Sequence, residues 1–214
     1  MIAERLAQAV RDGIRQIGEV LILPDTAEAP FALCHHRDAD QLDRLERHRS
    51  PSAARDLSTW AEDGHYRFTK SELSLRRGWL MLLSSAEELR TALDLFYPAG
   101  VGLWLASQEG TLDVQHLREK LDRQTGMYRF ARHLSAEGAQ KLVADVCGPA
   151  HCCVKRILWQ LDSETPLVDS EASRFPGHLP TGRPAIPLLC REACNHLVAE
   201  ARRASKAEAD ARHA

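Results

Sequence analysis

The sequence CGPAHCC at residues 147–153 and the sequence CREAC at residues 190–194 decide how the second half of this chain folds. Together they contain five of the six cysteines in a chain of 214 residues. A metal ion or an iron–sulfur cluster held by protein thiolates needs about four of them converging on one point, usually from two short segments. The two sequences therefore predict that their segments meet around a shared metal centre.

Three interpretations of these five cysteines are considered. The first is a disulfide pair. Residues 1–6, MIAERL, predict an amphipathic helix and no apolar signal segment follows, so we expect this chain in the cytoplasm. Disulfides are rare in that compartment. Structural zinc sites usually show Cys-x2-Cys pairs, whereas four residues separate the cysteines in 147–152 and three separate those in 190–194. Iron–sulfur ligands are spaced more variably. The spacing favours a cluster, with zinc and unligated buried thiols as the alternatives.

Composition narrows the class of protein without naming a function. The chain is 44% hydrophobic and 27% charged, as expected for an ordinary globular protein of one or two domains. Its formal net charge of -2 argues against a general nucleic-acid binder, which needs a basic face. The sequence has no long apolar run, so we expect no membrane partner.

The N-terminal half is predicted to contain short strands and helices, with strands following strands in runs. The spacing of apolar residues predicts a helix over residues 2–17. Apolar stretches predict strands at 20–23, 31–34 and 79–83, the first two as a hairpin. Because the elements do not alternate strictly as βαβ units, this half is predicted to be α+β.

Two more helices are predicted in this half. Residues 37–56 are nearly all polar or charged, which predicts a surface helix that ends near Pro51. Ser85, followed by Glu88, forms a capping box, so a helix should begin there and continue to about Phe96.

The second half has a different composition. A helix that begins after Ser135 should end at Cys147, because a glycine and a proline follow that residue. Apolar residues over 153–161 again have helical spacing, the proline-rich residues 162–189 predict a long loop, and a last helix is expected over 192–204.

These patterns predict a small α+β domain over 1–125, a mostly helical, cysteine-rich cluster domain over 126–204 and a frayed tail over 205–214. In the cluster domain, helix N-termini near Cys153 and near Cys190 should face the thiolates and stabilise their negative charge.

The two cysteine groups, taken with their neighbours, resemble a known family. The run CGPAHCCVKRILW at 147–159 and the run PLLCREAC at 187–194 resemble the four-iron cluster domain found C-terminal in multidomain relatives of the CbiX-type sirohydrochlorin cobaltochelatases. The segments LRRGW at 75–79 and LFYP at 95–98 resemble the stabilising domain that precedes it there. The resemblance extends over most of residues 20–200.

This resemblance implies a cytoplasmic [4Fe–4S] protein linked to tetrapyrrole or cobalamin metabolism. It would be an accessory or electron-transfer protein beside a separate chelatase, another tetrapyrrole enzyme or a redox partner. The metal-inserting histidines of those relatives belong to a chelatase domain, for which this chain has no room before residue 20, so no catalytic residue is assigned. Two other functions stay open: a tetrapyrrole-modifying enzyme that uses the cluster, and an interaction protein with a structural zinc or cluster.

All the grouped cysteines are candidate cluster-binding residues: Cys147, Cys152, Cys153, Cys190 and Cys194. Adjacent residues can both reach one cluster only with a strained local backbone, so one of the pair 152–153 should be spare. We favour Cys153 as the ligand because it lies beside the expected helix start. The predicted metal ligands are Cys147, Cys153, Cys190 and Cys194.

The sixth cysteine and two histidines follow one of the predicted strands. Cys34 lies in an apolar stretch far from the other cysteines, so we expect a buried thiol and not a ligand. His35 and His36 could form a metal site with Asp38 and Asp40, but nothing nearby predicts a tetrahedral geometry. We interpret this segment as a strand that continues into a polar turn.

Overall fold

The computed structural model divides the chain into two compact units. The N-terminal unit comprises Met1–Leu112 and His178–Leu188, and the cysteine unit comprises Asp113–Gly177 and Leu189–Ala214. The structure describes residues 1–67, 73–112, 134–147, 153, 155–157, 182–190 and 194–213. The predicted boundary between residues 125 and 126 lies outside these described ranges and stays a prediction.

Eight strands are described. In chain order they are β1 (Gln16–Ile17), β2 (Val20–Pro24), β3 (Phe31–His35), β4 (Glu46–His48), β5 (Trp79–Leu83), β6 (Arg156–Ile157), β7 (Ala185–Ile186) and β8 (Leu189–Cys190). A six-stranded mixed sheet in the order β4-β5-β3-β2-β1-β7 forms the centre of the N-terminal unit. The central strands are antiparallel, whereas β4 runs parallel to β5 and β7 runs parallel to β1.

Six α-helices are described as well. They are α1 (Ile2–Arg11), α2 (Ala53–Leu57), α3 (Ala86–Phe96), α4 (Gly100–Gln108), α5 (Ala136–Cys147) and α6 (Asn195–His213). Helices α1 and α3 pack against each other and against the sheet, burying Leu6, Val10, Leu89 and Leu93 completely. None of the helices in the described ranges combines the length and apolar character that crossing a bilayer requires.

The N-terminal unit is α+β, as predicted, and several of its elements are confirmed. Strands β2 and β3 form the predicted antiparallel hairpin, with Ile22 opposite Leu33. Helix α3 begins at the predicted cap, where the Ser85 hydroxyl accepts a hydrogen bond from the Glu88 N–H at 3.2 Å. His35 ends β3, and a 3-10 turn at His36–Asp38 follows, which confirms the strand and polar turn interpretation of this segment.

Two predicted helices in this unit are wrong. Helix α1 stops at Arg11, and Gln16–Ile17, predicted to be helical, form β1 because they pair with both β2 and β7. The predicted surface helix over 37–56 is replaced by 3-10 turns, the edge strand β4 and the short α2. Leu45 packs under the sheet at 8% exposure, which pulls this polar segment onto the sheet edge.

A buried carboxylate joins several elements of this unit. Glu19 is 4% exposed, and its carboxylate accepts hydrogen bonds from Arg67 Nη2 at 3.2 Å and from the Leu75 N–H at 2.9 Å. It also accepts one from His35 Nε2 at 3.4 Å, since His35 Nδ1 already accepts the Arg37 N–H. Burial alone would raise the pKa of Glu19, but His35, the Leu75 N–H and Arg67 outweigh it and lower that pKa.

The turn before Glu19 requires glycine. Gly18 has a φ of +51°, and a Cβ added to it would lie 2.5 Å from the phenol oxygen of Tyr97. That oxygen accepts the Glu19 N–H at 2.8 Å, so the turn and the Tyr97 ring fix the backbone that positions the buried carboxylate.

The cysteine unit also differs from the prediction in two places. Arg156–Ile157, predicted to be helical, form strand β6, and the rest of the predicted helix over 153–161 lies largely outside the described residues. Residues 205–213, predicted as a frayed tail, continue α6 to His213, and Ser205 is 2% exposed. The predicted helix ending at Cys147 is confirmed.

Candidate metal centre

Two helices of the cysteine unit place two of the cysteines. Helices α5 and α6 share an apolar core to which Leu142, Val143, Leu197 and Val198 contribute. Ser135, just before α5, donates its N–H and its hydroxyl to the Glu208 carboxylate near the end of α6, each at 3.0 Å.

These contacts make the two helices antiparallel. The start of α5 lies at the far end of α6, so the last residue of α5, Cys147, lies near the first turn of α6. Cys194 immediately precedes that turn. Antiparallel packing of helices that share one core therefore brings Cys147 and Cys194 to the same end of the pair.

A short strand pair places the other two cysteines. Strand β6 pairs in parallel with β8, with Arg156 opposite Leu189 and Ile157 opposite Cys190. Cys153 precedes β6 by three residues, so this ladder brings the segments of Cys153 and Cys190 together. The helix N-terminus predicted near Cys153 is wrong, because strand β6 follows that residue. The one predicted near Cys190 lies a few residues later, after Cys194, where α6 begins.

The thiol of Cys147 interacts with each of the other three thiols. Burial raises the pKa of the Cys147 thiol well above its ordinary value, and the neighbouring Cys190, Cys153 and Cys194 raise it further. Cysteine thiols ionise only to negative thiolates, so the four form a group of like charges once they lose their protons. Such a group is stable as thiolates only when a cation or a cationic cluster lies among them.

The four residues are not equally exposed. Cys147, Cys153 and Cys190 are half-buried and Cys194 is exposed. The Sγ of Cys194 accepts the N–H of Leu197 at 3.4 Å, and its carbonyl accepts the N–H of Val198 at 3.0 Å. Cys194 therefore occupies the N-cap position of α6. Sequence reasoning missed this cap because cysteine is not among the residues that commonly mark a helix start.

Two of the six cysteines remain to be considered. Cys152 lies outside the described residues. Cys34 is buried within β3 in the N-terminal unit, where burial raises the pKa of its thiol to about 12. A thiol that holds its proton this firmly suits an apolar core. The assignment of Cys34 as a non-ligand stays a prediction, as does the choice of four ligands.

Four cysteine thiols are the donor set of an iron–sulfur cluster and also of some structural zinc sites. Four thiolates on one zinc ion would lie about 3.8 Å apart, given tetrahedral geometry and Zn–S bonds of about 2.3 Å. Within the described ranges, no group of three or more His, Cys, Asp or Glu side chains could hold a single metal ion. In a four-iron cluster each cysteine ligates its own iron, so the thiolates need not meet around one atom.

Two family models match this chain along its length. Residues 2–108 match the model described as the DR2241 stabilising domain. Residues 109–203 match the model described as a 4Fe-4S iron-sulfur cluster binding domain. The second range contains all four interacting thiols, and the two models confirm the resemblance drawn from the cysteine runs and the segments at 75–79 and 95–98.

A solved structure is similar to the chain over nearly its whole length. DR2241 from Deinococcus radiodurans shares 28% sequence identity with it and superposes with a TM-score of 0.71. The similarity covers 96% of this chain and 42% of DR2241, so the chain spans less than half the length of that protein. The crystal structure of DR2241 reveals a multi-domain protein with structural similarity to chelatases and with two additional novel domains. No curated protein matches this chain.

Proposed function

Because this chain belongs to the DR2241 stabilising-domain family, we propose that it binds a [4Fe–4S] cluster and serves as an accessory or electron-transfer protein for a chelatase-type enzyme of tetrapyrrole or cobalamin metabolism. The observation that supports this most directly is that the Cys147 thiol interacts with three other cysteine thiols, all within the range matched by the cluster-binding model. The proposed ligands are Cys147, Cys153, Cys190 and Cys194.

The described residues have defined parts in holding the cluster. Cys147 and Cys194 lie at the shared end of the α5 and α6 pair, while β6 and β8 bring in Cys153 and Cys190. The apolar core beside Cys147 keeps water from that side of the site. When bound, the cluster would supply reversible one-electron transfer. Free thiols persist in a reducing compartment, so the proposed location is the cytoplasm.

The proposed chelatase partner rests on the solved relative. DR2241 resembles chelatases in part of its structure, and this chain corresponds to 42% of it. We therefore propose that a chelatase-type enzyme acts together with this protein. Calorimetric titration with a purified sirohydrochlorin chelatase, with the cluster oxidised and then reduced, tests the pairing. Equal absence of binding in both states contradicts it.

Anaerobic purification tests cluster binding itself. We expect a brown protein with about four iron and four sulfide ions per chain, and a paramagnetic resonance signal after reduction with dithionite. The Cys147→Ser variant should lose the cluster, and the matched control Cys34→Ala, which removes a buried thiol from the other unit, should keep it. A colourless protein that contains zinc and no sulfide would contradict the proposal.

A further inference from the structure

The environment of the four proposed ligands is unequal in two independent ways. The first is exposure: Cys194 is exposed, whereas Cys147 is half-buried and packs against the apolar core of α5 and α6. A ligand beside a packed core is held by its neighbours, and water has little access to its bond to iron. A ligand at the surface has neither protection.

The second inequality is electrostatic. Cys147 is the last residue of α5, where unpaired carbonyl groups give a helix end a partial negative charge. Cys194 precedes the first residue of α6, where unpaired N–H groups give a partial positive charge. The two ligands therefore lie at opposite poles of their helices.

These fields have opposite effects on a thiolate. The negative helix end destabilises a free Cys147 thiolate, so this sulfur gains most from donating its charge to iron. The positive end of α6 stabilises a free Cys194 thiolate, and the Leu197 N–H binds its Sγ at 3.4 Å. A hydrogen bond to a thiolate withdraws charge from the sulfur and alters the properties of the iron it binds.

We propose that Cys194 ligates the iron of the cluster that is most exposed to solvent, which we call the open corner. We propose further that this iron leaves first when the cluster is oxidised. This inference rests on the proposed function. In the step, a one-electron oxidant such as ferricyanide takes one electron from [4Fe–4S]2+, and one iron departs to water as Fe2+. The product is [3Fe–4S]+, and the Fe–Sγ bond of Cys194 is the thiolate bond that breaks. The freed thiolate keeps its hydrogen bond to the Leu197 N–H.

The test uses the full chain with its cluster, oxidised with one equivalent of ferricyanide under argon and then treated with iodoacetamide. We expect the loss of one iron in four, the resonance signal of a three-iron cluster, and new alkylation at Cys194 alone in the peptide map. The same protein alkylated without ferricyanide is the control, since it identifies any cysteine that reacts without oxidation, Cys152 included.

Variants supply a second measurement. Cys194→Ser should retain a three-iron cluster, whereas Cys147→Ser should lose all its iron. Alkylation that appears first at Cys147, Cys153 or Cys190 would overturn the proposal, as would loss of all the iron with simultaneous labelling of every ligand. A chain that binds no iron from the start would remove the proposed function itself, which separates that failure from failure of the open corner.

Discussion

Each of the two units brings ionisable side chains together, but the N-terminal unit combines groups of opposite charge and the cysteine unit combines groups that can carry only negative charge. In the N-terminal unit, the Glu19 carboxylate meets the Arg67 guanidinium and accepts hydrogen bonds from His35 and from backbone N–H groups. In the cysteine unit, burial and the three thiols of Cys190, Cys153 and Cys194 raise the pKa of Cys147, and all four thiols can ionise only to negative charges. The first centre contains its own countercharge, whereas the second needs one from outside the protein.

This difference predicts where stability depends on a bound group. A buried charge whose partners belong to the same chain is compensated as soon as the chain folds. Thiolates without a cation repel each other, so their convergence is favourable only when the group that they bind is present. The N-terminal unit should therefore be independent of iron, and the cysteine unit should depend on it.

Removal of the cluster is expected to have the largest effect. Stripping iron with a chelator under reducing conditions should expose the cysteine unit to protease, including the part of the predicted 162–189 loop that belongs to this unit. The N-terminal unit should stay intact. Every tenfold rise in cleavage rate corresponds to about 1.4 kcal/mol of lost local stability. Limited proteolysis with mass spectrometry measures it. Equal cutting of both units in the iron-free protein would contradict the comparison.

The Glu19→Ala variant is expected to have the next largest effect, on the other unit. It leaves the fully buried Arg67 guanidinium without its carboxylate and removes the acceptor of the Leu75 N–H. Breaking a buried pair in this way costs about 3–5 kcal/mol. The urea midpoint of the N-terminal unit should fall while the iron content stays unchanged.

The matched control for that variant is Glu28→Ala. Glu28 also pairs with an arginine, Arg47, at 3.1 Å, but both side chains are exposed. Screening by water should leave the urea midpoint almost unchanged. If the two variants destabilise the unit equally, the buried carboxylate does not have the role assigned to it.

A smaller effect is expected from pH. Burial, followed by the charges of His35 and Arg37, lowers the pKa of His36 from 6.5 to about 4, with Arg183 acting in the same direction and Glu19 against it. In the unfolded chain His36 binds a proton below pH 6.5, whereas in the folded chain it does so only near pH 4. The free energy of unfolding therefore decreases as the pH falls from 6.5 to about 4. After allowance for solvent screening, the loss should be about 1–2 kcal/mol.

Urea unfolding of the N-terminal unit between pH 7 and pH 4 measures this effect, with the exposed His65→Gln as the control. His36→Gln should flatten the profile over the window, whereas the control should keep the slope of the wild type. An unchanged slope in His36→Gln would assign the pH dependence to other groups.

Local signals in the sequence predicted the parts of the fold that local chemistry determines. The Ser85 and Glu88 cap marks the start of α3, and the apolar stretch at 79–83 is strand β5. The surface helix predicted over 37–56 is wrong because local composition does not show that Leu45 is buried, which results only from its contact with the sheet. Pairing with a distant strand likewise overrides the helical spacing near Ile157.

The sequence predicts the cysteine group but not the buried pair of Glu19 and Arg67, again because only the first depends on local signals. The cysteines are uncommon residues in a distinctive grouping, so their convergence could be predicted from spacing and residue type. Glu19 is an ordinary acidic residue in a turn, and its partner Arg67 is far along the chain. Only the folded backbone reveals that this carboxylate is buried. The glycine and proline after Cys147 predict that this residue ends α5, but no motif predicts the antiparallel packing that brings Cys194 to the same end of the helix pair.

The smallest effect is expected from the cysteine beside a proposed ligand. Two adjacent cysteines can bind one cluster only with a strained backbone, and Cys153 is already among the thiols that raise the pKa of Cys147. Cys152→Ser should therefore keep the iron and sulfide content and the resonance spectrum of the wild type. The comparison is Cys153→Ser, which should lose or convert the cluster. A Cys147→Ser variant that retained a full four-iron cluster would instead mean that Cys152 and Cys153 both ligate. The four thiolates that need the positive charge of the cluster would then include both residues of this pair.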